Sequence, residues 1–257
     1  MSLRMDIGWL LATLLLSVRV AAATMLAPVF GPTQIPGTVR VLLSLGIGAA
    51  IVAALPAVPT LNIPLDSTPR LALAALSELL IGASLSFGFL AAYAATQVAG
   101  RVLDIQMGFG VASVLNPATE GFSPLLGSVF GMAAVATFLA LDGHHVLIQA
   151  LALSAQAVPP GAVYAVDWDA VLKQSGVMFT FGTALAAPVM LALLLADLAM
   201  AVLARSMPSL NVFVLSFSIK IVLGMTGLAA SVRLAGPLLS ALFGTTFEYW
   251  QRTAGAH

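Results

Sequence analysis

Cysteine is absent from this sequence, and charged residues are scarce. Without a thiol the chain cannot form disulfides, use a thiolate nucleophile or bind a metal through sulfur. Lysine, arginine, aspartate and glutamate together make up 8% of the residues, whereas a soluble domain carries about 25%. A chain with so little charge cannot cover a water-facing surface, so lipid or a large protein partner must cover it instead.

The chain also lacks an excess of either charge and lacks the common catalytic motifs. Ten basic residues balance ten acidic ones, which gives no basic patch for nucleic acid and no polybasic segment for a lipid surface. Zinc-protease, serine-hydrolase, phosphate-loop and dinucleotide-binding signatures are all missing. We therefore expect no nucleic-acid partner, no cofactor and no enzymatic activity.

Long apolar stretches fill the sequence. Hydrophobic residues make up 60% of it, and uncharged windows of the roughly 20 residues that cross a bilayer recur along the chain. We predict an all-α membrane protein with about six apolar segments and a single helical domain over 1–257, with no separate soluble domain. The last two stretches are long enough to be bent or divided hairpins. The expected helices lie near 7–30, 39–57, 70–106, 124–141, 143–157, 170–204 and 212–245.

The N-terminal apolar run from Gly8 to Ser17 has some features of a secretory signal. Asp6 precedes it and Arg19 follows it, and both charges are atypical of such a signal, so we interpret it as a retained first helix. Basic residues are scattered singly between the segments, and the positive-inside rule therefore predicts no orientation.

Seven charged residues lie in or beside the apolar runs. An ionised group in a bilayer is costly, so each should face protein or water. They could mark helix ends and buried pairs, or they could form a proton or ion pathway, although no Asp/Glu/His relay occurs at helical spacing. Arg101 and Asp104 are three residues apart on one helix and could pair locally. The seven are Arg19, Glu78, Arg101, Asp104, Asp197, Lys220 and Arg233.

Two adjacent histidines and two pairs of small residues complete the local features. On a helix, His144 and His145 project about 100° apart and are predicted not to share a metal. A turn or helix start after Asp142-Gly143 explains them better, so we expect no metal site. Gly82 with Ser86, and Gly127 with Gly131, are spaced for close helix packing.

A series of short motifs runs along nearly the whole chain, and its most specific run is Arg205–Phe213. The series is Arg19, Ala27–Gly31, Ile35–Pro36, Val39–Arg40, Glu78, Gly82, Gly88, Ala99–Gly100, Asp104–Phe109, Asn116–Pro117, Asp142–His145, Ala187–Met190, Asp197, Arg205–Phe213 and Phe217–Lys220. In these motifs, which occur in the same order and at compatible spacing, the chain resembles the FliR family of flagellar and virulence type III export proteins. The form of Gln106–Phe109 is closer to the flagellar members. This chain departs from the family pattern at Arg101, Asn116 and Ser218.

The resemblance implies an assembly rather than an isolated channel. Tilted and broken helical hairpins would join FliP and FliQ subunits, with FlhB as a further neighbour, in the bacterial inner membrane at the flagellar basal body. Unfolded export substrates would pass through the resulting channel. Membrane lipid would cover the remaining apolar surface.

Two groups of site residues follow from the same resemblance. Glycine and proline interrupt the apolar stretch Gln106–Ser123, where they disfavour a helix by about 1 and 3 kcal/mol relative to alanine. From the residues alone this is either an ordinary buried loop or a flexible plug. The resemblance implies a channel plug formed by Gln106, Met107, Gly108, Phe109, Asn116, Pro117 and Phe122. It also implies subunit contacts at Arg205, Pro208, Asn211, Phe213 and Lys220.

Two other classes of function stay open. A secondary transporter of small solutes would also need broken helices and intramembrane charges, but it predicts inverted repeats and a polar site at the midplane. A membrane scaffold or assembly factor without a pore would tolerate polar replacements in Gln106–Ser123.

Overall fold

The computed structural model describes residues 7–25, 36–55, 68–109, 125–207 and 212–255. Within these ranges the chain forms seven α-helices and no strand, which confirms the predicted all-α class and the presence of every predicted helix. The helices are α1 (Ile7–Met25), α2 (Gly37–Ala54), α3 (Thr68–Gln106), α4 (Leu125–Ala140), α5 (Gly143–Ala157), α6 (Trp168–Ser206) and α7 (Val212–Thr253).

Local chemistry sets several of the helix starts. Pro36 precedes α2 with φ −54°, and its carbonyl oxygen accepts a 3.0 Å hydrogen bond from the Val39 amide, as the carbonyl of an N-cap residue does at the start of a helix. Asp167 precedes α6, and its side chain accepts a 3.1 Å hydrogen bond from the Ala170 amide. That is the usual N-cap arrangement, in which a carboxylate satisfies one of the unpaired amides of the first turn.

The two C-terminal helices are each continuous. Helix α6 has 39 residues with Pro188 inside it, and α7 has 42 residues with Pro237 inside it. Each proline removes one intrahelical hydrogen bond, but the helix continues through it without a break. The long apolar stretches are therefore single helices and not hairpins divided by a turn.

The described chain groups into two compact units. The first contains 1–91, 142–175 and 244–257, and the second contains 92–141 and 176–243. Helices α3, α6 and α7 contribute to both units. The expectation of one helical domain over the whole chain stays a prediction.

In the first unit, small residues allow helices to approach closely. A side chain at Gly82 would overlap the backbone of Arg19 on α1, and one at Gly88 would lie 2.7 Å from the Tyr249 ring on α7. The end of α7 is fixed to α3 by two buried hydrogen bonds: Tyr249 Oη donates to the Ser84 carbonyl at 2.9 Å, and Trp250 Nε1 donates to the Leu85 carbonyl at 2.6 Å. The predicted role of Gly82 in helix packing is confirmed.

In the second unit, glycine brings α3 against α4 and α6. A side chain at Gly100 would overlap the backbone of Gly127, and one at Gly182 would lie 2.9 Å from the Ala95 carbonyl oxygen. Phe138 and Phe243 pack with their ring centroids 5.5 Å apart. Gly127, which belongs to the predicted pair Gly127 and Gly131, therefore also lies at a close helix contact.

Five helices of the described chain are long and apolar enough to cross a membrane, or six if the bent pair α4 and α5 counts as one span. This agrees with the predicted number of apolar segments. The five windows lie in α1, α2, α3, α6 and the Val214–Ser231 part of α7, and only 6% of that last window is buried.

Candidate functional site

The end of α3 is shaped by a glycine in a left-handed conformation. Gly108 has φ +85°, its amide donates to the Ile105 carbonyl at 3.1 Å, and the Phe109 amide donates to the Asp104 carbonyl at 2.9 Å. These two bonds form a Schellman motif, which ends a helix by satisfying its last carbonyls and requires a residue that tolerates positive φ. The first four predicted plug residues, Gln106 to Phe109, therefore form the terminating turn of α3.

This turn packs against α7. Met107 is completely buried, and a side chain at Gly224 would collide with its thioether end. A side chain at Gly108 would overlap the ring of Phe217. Glycine at position 108 thus serves both the left-handed backbone conformation and the close contact with α7, whereas Gly224 serves the contact alone.

Asp104 joins this turn to the start of α4. Its buried carboxylate accepts hydrogen bonds from the Leu126 amide at 3.1 and 3.2 Å and from the Gly127 amide at 3.3 Å. The first amides of a helix have no partner within it and carry partial positive charge, so a carboxylate there both satisfies and stabilises them. The Asp104 side chain therefore caps the start of α4, although α4 begins more than twenty residues later in the chain.

Backbone contact reinforces the same junction. Gly100 lies one helical turn before Asp104 and lets α3 touch the backbone at Gly127. Gln97 lies a further turn away, and its Nε2 donates to the Gly127 carbonyl at 3.0 Å. Gln97, Gly100, Asp104 and the first turn of α4 together form what we call the loop base.

The loop base joins the end of α3 to the start of α4, the two described helices that flank residues 110–124. Of the predicted plug residues, Asn116, Pro117 and Phe122 lie outside the described residues. Gln106 is half-buried, and its Oε1 is buried without a hydrogen-bond partner among the described residues.

The predicted subunit-contact residues are only partly described. Pro208 and Asn211 lie outside the described residues, as does the side chain of Phe213. Arg205 is exposed near the C-terminus of α6. Lys220 forms an ion pair with Asp197, with Nζ 2.6 Å from Oδ1, and the two side chains are 21% and 45% exposed.

A second polar cluster lies within the first unit. Arg19 and Glu78 are fully buried, and Arg19 Nε donates to Glu78 Oε2 at 2.6 Å. Arg19 also donates to Ser154 Oγ and to the Val158 carbonyl, each at 3.0 Å. Glu78 Oε1 accepts a 2.9 Å hydrogen bond from the Gly161 amide. This network joins α1, α3, α5 and the connection after α5.

The connection after α5 is also held to α3 by Ser77. Its hydroxyl donates to the Ala162 carbonyl at 2.6 Å and accepts from the Tyr164 amide at 2.9 Å. Burial raises the pKa of the Tyr164 phenol above its ordinary value of 10.0, and the charge on Asp167 adds to that rise. The phenol therefore stays protonated and can donate a hydrogen bond throughout the physiological range.

Most of the described charged residues in or beside the apolar runs have partners, but Arg101 and Asp104 do not pair with each other as predicted. These two described residues form no ion pair with each other, because the Asp104 carboxylate is directed at the α4 amides and Arg101 is exposed. The local-pair prediction is wrong because a cap from another helix is available at that site. The interpretation of these charges as helix ends and buried pairs, rather than as an ion pathway, is supported for Arg19, Glu78 and Asp104. Each of them is buried and has hydrogen-bond partners.

Sequence reasoning missed the loop base as a unit. Gln97, Gly100 and Asp104 are spaced at three and four residues, so they share one face of α3. The feature of the sequence that corresponds to this junction is a glycine one turn before a carboxylate, on the helix face that also carries Gln97. The sequence contains this feature, but Arg101, three residues before Asp104, suggested a local ion pair instead.

Comparison with known proteins places this architecture in a family. The model of "Bacterial export proteins, family 1" matches residues 10–246. Flagellar biosynthetic protein FliR of Bacillus subtilis is 30% identical over 244 residues, covering 92% of each chain. The Escherichia coli protein of the same name is 31% identical over 233 residues, covering 90% of this chain and 88% of its own.

A further relative is similar over a shorter part of the chain. Yop proteins translocation protein T of Yersinia pestis is 31% identical over 152 residues, covering 55% of this chain and 58% of its own. The family match over nearly the whole chain, together with its five or six apolar spans, identifies a membrane protein. The chain belongs to the FliR family of bacterial export proteins.

Proposed function

We propose that this chain is a core subunit of the flagellar type III protein export gate. It forms part of the secretion channel together with FliP and FliQ, with FlhB as a neighbour, in the bacterial inner membrane at the flagellar basal body. Its substrates are unfolded export proteins, which it passes without chemical change. Its role is structural and gating rather than enzymatic.

The observation that carries the proposal is the family match over residues 10–246. The flagellar relatives in that family are aligned along almost their full length, so the whole architecture is shared and not one module. Partner subunits would also cover the exposed apolar surface. Only 6% of the Val214–Ser231 window of α7 is buried within this chain, and an exposed apolar face of this kind needs an apolar neighbour.

The loop base supports a plug formed by Gln106–Ser123. A loop that seals a pore must be attached at fixed positions at both of its ends. The cap at Asp104 supports such an attachment, because it joins the end of α3 to the start of α4. The apolar side chains between them can exclude water from a constriction. The residues proposed for the plug are Gln106, Met107, Gly108, Phe109, Asn116, Pro117 and Phe122, and those proposed for subunit contacts are Arg205, Pro208, Asn211, Phe213 and Lys220.

Deletion and complementation in the source bacterium test the function. Removal of the gene should abolish export of flagellar proteins into the medium, and expression of the intact chain should restore it. Unchanged export in the deletion strain would contradict the proposal.

A leak assay tests the plug separately. Replacement of Phe109 or Phe122 by aspartate should hydrate the constriction and make cells that assemble the gate permeable to small ions. Val163→Asp is the matched control, because Val163 is 91% exposed on the connection after α5 and should cause no leak. A pore-free scaffold predicts no leak from any of these variants.

A further inference from the structure

A cluster of three metal-binding side chains lies at the turn between α4 and α5. Asp142, His144 and His145 each offer a ligand atom, and these atoms all lie within 4.8 Å of one another. The expectation that the two histidines diverge is wrong, since their ring centroids are 4.1 Å apart with the planes inclined by 36°. The 100° separation on a helix applies to the Cα–Cβ bonds, and the rings beyond them lean toward each other.

The distance between Asp142 and His145 is compatible with a shared ion. Nδ1 of His145 is 3.6 Å from Oδ1 of Asp142, which is too long for a hydrogen bond. Two ligand atoms bound to one tetrahedral zinc ion at about 2.0–2.2 Å each lie about 3.4 Å apart. The observed separation is close to that value.

The third side chain is also incompletely satisfied. Nδ1 of His144 is buried and has no hydrogen-bond partner among the described residues. A buried imidazole nitrogen without a partner is unfavourable. A ligand bound to this nitrogen would remove that cost. Asp142 and His145 are 73% and 64% exposed, so their side chains are free to adjust, and water can complete the coordination shell.

We propose that Asp142, His144 and His145 bind one divalent first-row transition-metal ion of the zinc class. Two imidazoles and one carboxylate suit Zn²⁺, Co²⁺ or Ni²⁺, whereas Mg²⁺ and Ca²⁺ require oxygen ligands. All three ligands belong to one short stretch that contains the left-handed residue Asp142, at φ 54°, and the first turn of α5. A bound ion therefore fixes the conformation of this turn.

Metal titration of the full-length chain tests the site. The protein is purified in detergent with a histidine-free affinity tag, freed of metal, and titrated with Zn²⁺ by calorimetry and with Co²⁺ by visible absorption. We expect saturable binding of one ion per chain, with a Co²⁺ spectrum that indicates nitrogen ligands.

Three variants assign that binding to the cluster. Asp142→Asn and His145→Ala should each weaken binding by at least about tenfold, since loss of even an outer-shell partner costs 10- to 100-fold. His257→Ala changes the third histidine of the sequence and should bind like the unaltered chain. Absence of saturable binding would overturn the proposal, as would cluster variants that bind normally. The titration does not depend on export activity, so its result is separate from that of the proposed function.

Discussion

The buried pair of Arg19 and Glu78 offers the sharpest test of the packing within the first unit. Both side chains are fully buried, and five hydrogen-bonding groups of the network depend on each other. Glu78→Ala removes the counter-ion and leaves the guanidinium buried without one. Breaking a buried pair in this way costs about 3–5 kcal/mol, which is a large share of the 5–15 kcal/mol that stabilises a typical folded protein.

The same reasoning predicts that removal of both charges is less harmful than removal of one. In the double variant Arg19→Met and Glu78→Met, no charge is left buried, and apolar side chains of similar length fill the space. Such replacements are often neutral or stabilising. Ser154 retains its 2.8 Å hydrogen bond to the Leu151 carbonyl, so only the Val158 carbonyl and the Gly161 amide lose their partners. The double variant should therefore be more stable than Glu78→Ala.

Unfolding of the purified full-length chain in detergent, followed by circular dichroism as denaturant is added, measures these differences. Arg101→Ala is the matched control, because Arg101 lies on the same helix and is exposed, and it should change the free energy of unfolding by less than about 0.5 kcal/mol. A Glu78→Ala variant that loses less than about 1 kcal/mol would refute the argument. So would a double variant that is less stable than the single one.

Three further predictions concern the second unit. Gly100→Val should separate α3 from α4, because a side chain there overlaps the backbone of Gly127, and we expect faster amide hydrogen exchange in the first turn of α4. Asp104→Ala should lower the free energy of unfolding by about 0.5–2 kcal/mol through loss of the cap, whereas Asp104→Asn should retain much of it. A double-mutant cycle on Lys220 and Asp197 should give a coupling of at most about 1 kcal/mol in the isolated chain, since both side chains are partly exposed; a coupling of several kcal/mol would mean that the pair is shielded from solvent.

The helix pattern was predictable because its determinants are local. Proline and glycine interrupt the apolar runs, and apolar length alone sets the minimum span, so the predicted 143–157 coincides with α5 and the predicted 70–106 differs from α3 by two residues. The end of α7 was placed too early, near 245 instead of Thr253. The last turns of α7 pack against α3, where Tyr249 and Trp250 donate hydrogen bonds to backbone carbonyls.

The partners of the charged side chains were not predictable from spacing. Asp104 had a basic neighbour on its own helix at Arg101, yet it caps α4, because the unpaired amides of a docked helix start compete for the carboxylate. Arg19 and Glu78 are 59 residues apart in sequence, and no local rule joins them. Pairing of this kind depends on which helices meet, which the sequence pattern does not determine.

The most direct test of the export-gate assignment is the composition of the complex that this chain forms. The affinity-tagged full-length chain is co-expressed with the FliP and FliQ proteins of the same genome, extracted in detergent and weighed by native mass spectrometry. We expect a stable hetero-oligomer in which all three proteins are present. A monodisperse particle of this chain alone, with neither partner bound, would contradict it and would favour a self-contained transporter.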